Sequence, residues 1–368
     1  MKTKQGSLKL EITQDLESLG EELENPNLVA ILNLPDANLC DKRKEFVLRE
    51  GNLEQACRGC VTQSIKVGEM LPIEQVKAAI DYFGGNYGTR WVTINGRGDP
   101  FHPKLRKRTL AKIEHAAFRG IKSYVFTAGN NLDEEVCQLL AEYGANVMIS
   151  LYGNDFIDGD FFDGKEYDSP VNRLKKLLAS NDAENVLGKA LRFGEKGLLQ
   201  NEAHIAENIR RLIETYRTYY PETHGGLTGG VTRLAMNYVV MPRDIADNGS
   251  KMSKLKIAAN ENGIGFFCNL EFDAVEKYTT ETIAQLRKLK ELHSTSEHST
   301  SVNGQCQMGA GSSTTIDYNG DMYRCPYMTG GGDGNFFKLD AQKRREIIDS
   351  HVRNRGNSCG MRKTPRRE

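Results

Sequence analysis

An α/β fold built on a parallel sheet is what the sequence predicts, on two observations. Short, β-rich apolar runs recur along the chain, and between them lie segments whose apolar residues return at helical spacing. Strands that alternate with helices need right-handed crossovers, which lay the strands parallel and gather functional residues at their C-terminal ends. The 368 residues suit about two domains, or one large α/β domain with an appendage.

The elements follow in order. Residues 1–27 read as a polar N-terminal segment, and the first apolar run is LVAILNL at 28–34. Pro72 then sits near a helix start, with Ile73, Val76, Ile80 and Phe83 on one face over 72–83. Further strands are expected at 90–96, 123–128, 146–152, 233–241 and 265–272, which makes six. The helices between them fall at 109–118, 133–143, 171–179 and 251–262. An insertion at roughly 180–230 interrupts the rhythm with a helical stretch and the Gly-rich HGGLTGG. From about 296 the chain turns polar and loop-like, then short and rich in Gly and Cys, which places a boundary near 300.

Composition removes several functions. Lys plus Arg equals Asp plus Glu at 49 each, so no charge excess points to nucleic acid or to an anionic membrane. The basic ending MRKTPRRE reads as a solvated tail. No apolar run approaches the roughly 20 residues that cross a bilayer, and the first thirty residues lack an apolar signal core. A cytoplasmic location is the expectation. Eight cysteines in such a chain read as reduced thiols, and clustered ones as metal ligands rather than disulfides.

Three cysteines follow the first strand. Cys57 and Cys60 have the two-residue gap of a metal-binding pair, and Cys40 lies upstream across sixteen residues. On their own they fit three thiolates of an iron-sulfur cluster with one iron left open, a zinc site, or unrelated thiols. The neighbouring INGRGDPFHP offers Gly98, whose lack of a side chain permits close backbone approach, and Asp99, a natural acceptor for an ammonium group. TGGGDGN at 329–335 lacks the Lys-Ser/Thr ending of a phosphate loop and reads as a connector. The seven histidines form no catalytic pattern.

These motifs resemble the radical S-adenosylmethionine (SAM) enzymes. That family holds a [4Fe-4S] cluster with C-x3-C-x2-C after the first strand of a partial barrel. Here the final C-x2-C and its placement are kept, while the first gap is enlarged, as in some branches of the family. Stretching three residues to sixteen costs only about 1.5 kcal/mol of loop-closure entropy. Gly96, Gly98, Asp99 and Pro100 stand where the family has its Gly-rich turn ending in Gly-Glu-Pro, with Asp replacing Glu. Ser150 matches a hydroxyl that contacts the SAM ribose, and Asn237 a fifth-strand residue lining the cavity. Cys306, Gly320 and Cys325, spaced C-x13-G-x4-C, are similar to the opening of the SPASM and twitch extensions. Cys359 is followed by Gly-Met-Arg rather than by a further cysteine. One auxiliary [4Fe-4S] cluster on Cys306, Cys325 and Cys359 is therefore the expectation. Cys268 and Cys137 read as buried apolar residues.

The resemblance implies a partial (β/α)6 TIM-like barrel over 28–300 with a small iron-sulfur extension over 301–368. It implies a cluster on Cys40, Cys57 and Cys60 that binds SAM, splits it to a 5′-deoxyadenosyl radical after one-electron reduction, and so takes hydrogen from a substrate. Flavodoxin or ferredoxin would be the reductant. A small-molecule substrate is favoured over a peptide, since residues 1–27 show no peptide-recognition domain. A peptide-modifying enzyme and a non-catalytic metal protein on the same scaffold are the alternatives.

Overall fold

The computed structural model describes residues 8–40, 69–95, 98–150, 195–221, 226–227, 230–270, 274–293, 301–302, 305–308, 310–328 and 332–353. The chain enters through β1 (Lys9–Leu10) and α1 (Glu11–Leu19), and the barrel strands begin with β2 (Ile31–Asn33). Then come α2 (Ile73–Tyr87), β3 (Trp91–Ile94), α3 (Arg106–Phe118), β4 (Lys122–Thr127), α4 (Glu134–Glu142) and β5 (Asn146–Ser150). After α5 (Glu195–Tyr219), the short strands β6 (Gly226–Leu227) and β7 (Val231–Thr232) lead into β8 (Leu234–Val240). Next are α6 (Pro242–Ala246), α7 (Ser250–Glu261), β9 (Gly265–Leu270), α8 (Ala274–Lys277) and α9 (Thr280–His293). The C-terminal part holds β10 (Ser301–Val302), β11 (Gln305–Cys306), β12 (Ser313–Ile316), β13 (Met322–Tyr323) and α10 (Ala341–Arg353).

Six strands form where the apolar runs predict them and pair in parallel in the order β2-β3-β4-β5-β8-β9. The sheet is a partial barrel: among the described residues no ladder joins β9 to β2, and the free edge of β2 is taken by β12 in parallel. The hairpin β12-β13 therefore continues the same sheet, and Ile316, Met322, Phe336, Ile348 and Val352 share the core that packs the helices onto it. The expected helices at 72–83, 109–118, 133–143 and 251–262 are α2, α3, α4 and α7, and the helical stretch of the insertion is α5. The expected helix at 171–179 lies outside the described residues.

Local chemistry explains the helix ends. Asp133 caps α4 by accepting from Val136 N at 3.0 Å, with Glu134 and Glu135 favourably placed at the positive end. Gly88 ends α2 in the left-handed region, its N–H returning to Phe83 O.

The N-terminal segment that reads as polar forms part of a second core. Leu10, Ile12 and Leu16 are fully buried against Ile31, Trp91, Tyr124, Met148, Ala235 and Phe267, residues of the concave sheet face. Leu10, Ile12 and Leu16 are few among charged neighbours, yet they fall on one side of α1 and its entry, which suffices to seal the N-terminal end of the barrel. Glu11, itself buried, fixes the seal through Lys122 Nζ at 2.9 Å, Arg233 Nε at 3.0 Å and Asn146 Nδ2 at 2.8 Å.

Candidate functional site

The exits of β2 and β3 carry the first candidates. From Leu34 the chain runs through Asp36 and Asn38 to half-buried Cys40, and this loop lies against the turn at Gly98 and Asp99. Asp99 N donates to Leu39 O at 2.7 Å, and Gly98 N donates to Asn38 Oδ1 at 3.2 Å. Gly98 has φ +43°, and a Cβ there would stand 2.2 Å from Leu39 O and 2.6 Å from Leu39 N. Only glycine permits that approach. Cys40 is thus the next residue after the one that touches the Gly-Asp-Pro turn. Cys57, Cys60 and Gly96 lie outside the described residues.

Asp99 is tied into the fold on two sides. Its buried carboxylate accepts from Phe101 N at 2.9 Å, from Ala128 N at 2.8 Å and from Thr127 Oγ1 at 3.1 Å. Those bonds use most of a carboxylate's acceptor positions and tie the β3 exit to the end of β4.

Ser150 and Asn237 are brought together. They are direct partners in the β5-β8 ladder, and Asn237 Oδ1 accepts from Asn269 Nδ2 on β9. Strand parity places them on the concave face with Asn33, Thr93 and Asn95, above the apolar floor of Trp91, Tyr124 and Met148. Thr93 and Asn33 are bonded to each other, and Asn33 Nδ2 donates to Thr314 O at 2.9 Å. Asn95 Oδ1, Asn269 Oδ1 and Thr315 Oγ1 are buried without a hydrogen-bond partner, as are both side-chain polar atoms of Asn130 in the β4 exit. Native folds keep such groups few, because each costs about 1–3 kcal/mol. Asn95, Asn269 and Thr315 thus leave hydrogen-bonding capacity on this rim. Asn95, Asn130 and Asn269 are missing from the sequence reading, and strand parity was the signal available for the first and last.

Cys306 and Cys325 are both half-buried and flank the β12-β13 hairpin, whose turn contains Gly320 at φ +91°. Cys359 lies outside the described residues. Among the described residues no group of three His, Cys, Asp or Glu side chains could hold a metal. Cys137 and Cys268 are buried, and burial pushes both thiols up to about 12. Both therefore stay protonated and behave as the apolar residues they read as. No helix among the described residues is long and apolar enough to cross a membrane.

No family model and no curated protein matches the sequence. Solved structures do. SuiB of Streptococcus suis, bound to precursor peptide SuiA, superposes over 91% of this chain and 68% of its own, at 13% identity and a TM-score of 0.50. Native anSMEcpe with bound AdoMet superposes over 87% of this chain and 82% of its own, at 13% identity and a TM-score of 0.51. Identities this low show the fold.

Proposed function

We propose that this chain, which has the fold of the radical SAM enzymes, is one of them. The observation that carries the reading is the contact of the Cys40 loop with the Gly98–Asp99 turn at the C-terminal rim of a parallel sheet. There a cysteine and a glycine turn from neighbouring strands stand side by side. The residues fit the implied cofactors. Cys40, Cys57 and Cys60 would hold a [4Fe-4S] cluster, and the β3 exit, Ser150 and Asn237 would hold SAM. When bound, the cluster supplies the electron that splits SAM to a 5′-deoxyadenosyl radical, for which flavodoxin or ferredoxin would be the donor.

The chain's own residues bind, orient and exclude water. Asp99 orients the turn through Thr127 and Ala128 and, with the backbone of the turn, would face the SAM amino group. Ser150 and Asn237 present a hydroxyl and an amide side by side. The floor of Trp91, Tyr124 and Met148, closed by α1, keeps water from the radical. Cys306, Cys325 and Cys359 would hold one auxiliary cluster.

Among the described residues, the concave rim offers amides and hydroxyls at Asn33, Thr93, Asn95, Ser150, Asn237 and Asn269. That lining supports a hydrogen-bonding substrate, which we read as a small molecule. A peptide substrate is the second reading, supported by the precursor peptide bound to SuiB. The test is anaerobic reconstitution, then iron and sulfide per chain, then 5′-deoxyadenosine after dithionite and SAM. About eight irons with deoxyadenosine formed is the expected result. A colourless protein that forms none would favour a structural metal on an inherited scaffold.

A further inference from the structure

We propose that Asp36, Arg108, Thr109 and Lys112 form a positioning unit that holds the Cys40 loop against the Gly98–Asp99 turn and helps set the reduction potential of the cluster there. The potential half rests on the radical SAM reading, whereas the positioning half stands on the geometry alone.

The two loops leave different strands, and one turn of α3 grips both. Lys112 Nζ donates to Leu34 O at 2.9 Å and to Asp36 Oδ2 at 2.6 Å. Arg108 donates through Nε to Asp36 Oδ1 at 2.9 Å, and through Nη1 to Leu71 O at the approach to α2. Thr109 Oγ1 lies 2.7 Å from Pro100 O and 3.1 Å from Asp36 Oδ2. The Asp36 loop and the Pro100 turn are therefore anchored to adjacent residues of one helix, and they meet each other at Leu39.

Burial makes this more than a packing detail. The side chains of Lys112 and Asp36 are 1% and 2% exposed, and burial pulls the Lys112 amine below its usual range while Asp36 opposes that fall. Replacing such a pair with apolar residues often leaves a fold as stable, whereas removing one partner alone leaves a buried charge uncompensated. The pair borders a small cavity also lined by Leu71, Asp317 and Tyr318, so the C-terminal hairpin meets the same unit.

The electrostatic consequence follows from position. Cys40 lies four positions after Asp36, a Cα–Cα reach of at most about 14 Å. A cation bonded to Asp36 and about that far from a cluster, in a partly desolvated setting, would favour the added electron of the reduced cluster by severalfold to about tenfold.

The experiment compares wild type, Lys112→Met and Arg108→Gln as full chains. Hydrogen exchange on the protein without cluster reads the positioning. Amides of 34–40 and 98–101 should lose protection in Lys112→Met while the β4-β5 ladder keeps it. Potentiometric titration of the reconstituted cluster, followed by electron paramagnetic resonance, reads the charge. Both variants should take up the electron less readily, about 59 mV lower for a tenfold change in this one-electron couple. If Lys112→Met fails to hold the cluster, Arg108→Gln, at the more exposed end, still decides the potential. Unchanged protection of both loops together with an unchanged potential in Arg108→Gln overturns the proposal. A wild type that takes up no cluster refutes the radical SAM reading and the potential half with it, and the exchange data still decide the positioning half.

Discussion

Replacing Gly98 with alanine tests the central contact. The residue sits at φ +43°, and its new Cβ would meet Leu39 O, N and C at 2.2, 2.6 and 2.8 Å. All three are backbone atoms, so no rotamer change relieves the clash. The left-handed backbone costs about 1–2 kcal/mol for a residue with a Cβ. Separating the loops also breaks the Asp99 N to Leu39 O and Gly98 N to Asn38 Oδ1 bonds, at about 0.5–1.5 kcal/mol each. The sum is about 2–5 kcal/mol, concentrated where Cys40 emerges. Gly120→Ala is the matched control: its φ is +70°, nothing lies within 4 Å of a Cβ there, and it stands in the turn from α3 to β4 at the far end of the strands. The assay is denaturant unfolding of both variants, with iron per chain and SAM binding after reconstitution. Gly120→Ala should lose about 1 kcal/mol and keep iron and SAM. Gly98→Ala should lose more stability and most of both ligands. If the two variants unfold alike and Gly98→Ala binds iron and SAM like wild type, the contact does not organise the site.

Further outcomes follow from other positions. Cys40→Ala should lower iron content and abolish SAM cleavage, read by iron assay and deoxyadenosine formation. Cys306→Ala with Cys325→Ala should remove about half the iron while leaving some uncoupled SAM cleavage. Leu16→Ala, at a fully buried position of the seal, should cost about 2–5 kcal/mol by chemical denaturation. His351 bonds Thr314 Oγ1 through Nδ1 and Asp333 Oδ2 through Nε2, both at 2.8 Å, and burial lowers its pKa although Asp333 opposes the shift. A base with a lowered folded pKa contributes stability above its unfolded value near 6.5, lost as pH falls below that value. The melting temperature of wild type should therefore drop on acidification below about pH 6.5 more steeply than that of His351→Gln.

The six strands were legible because each is an apolar run bounded by turn residues, a pattern that survives without any tertiary knowledge. Gly98 was legible as a position needing glycine, though the approaching group is the backbone of Leu39. Asp99 shows where reading stops. Its residue type suits an ammonium partner, but whether the oxygens remain available depends on Thr127 and Ala128, which only the β3-β4 pairing brings near. Asn95 and Asn269 look incidental in their strands until strand parity turns them to the concave face. Asp36 and Lys112 lie 76 residues apart and meet only because α3 packs beneath the β2 exit. In α1, three apolar residues among many charges were too few to outweigh the composition of the segment.

The unpartnered groups constrain what occupies the rim. Asn95 follows β3 and Thr315 belongs to β12, on one side of the sheet, whereas Asn269 belongs to β9 at the opposite edge. A ligand with one polar end would satisfy one side and leave the other desolvated, at about 1–3 kcal/mol for each group left unmet. The rim is therefore matched by an occupant, or a pair of occupants, with hydrogen-bonding capacity at both ends. On the radical SAM reading proposed above, SAM and a substrate bound together would have that character: Ser150 and Asn237 stand beside Asn269 on the β5-β8-β9 side, and the Gly98–Asp99 turn and Cys40 lie toward β3 and β2. Among the described residues that face presents neutral amides and hydroxyls at Asn33, Thr93, Ser150 and Asn237. The ion pairs are instead placed outside the cavity. Asp36, Lys112 and Arg108 hold the loops at the rim, and Glu11, Lys122 and Arg233 hold the seal at the floor.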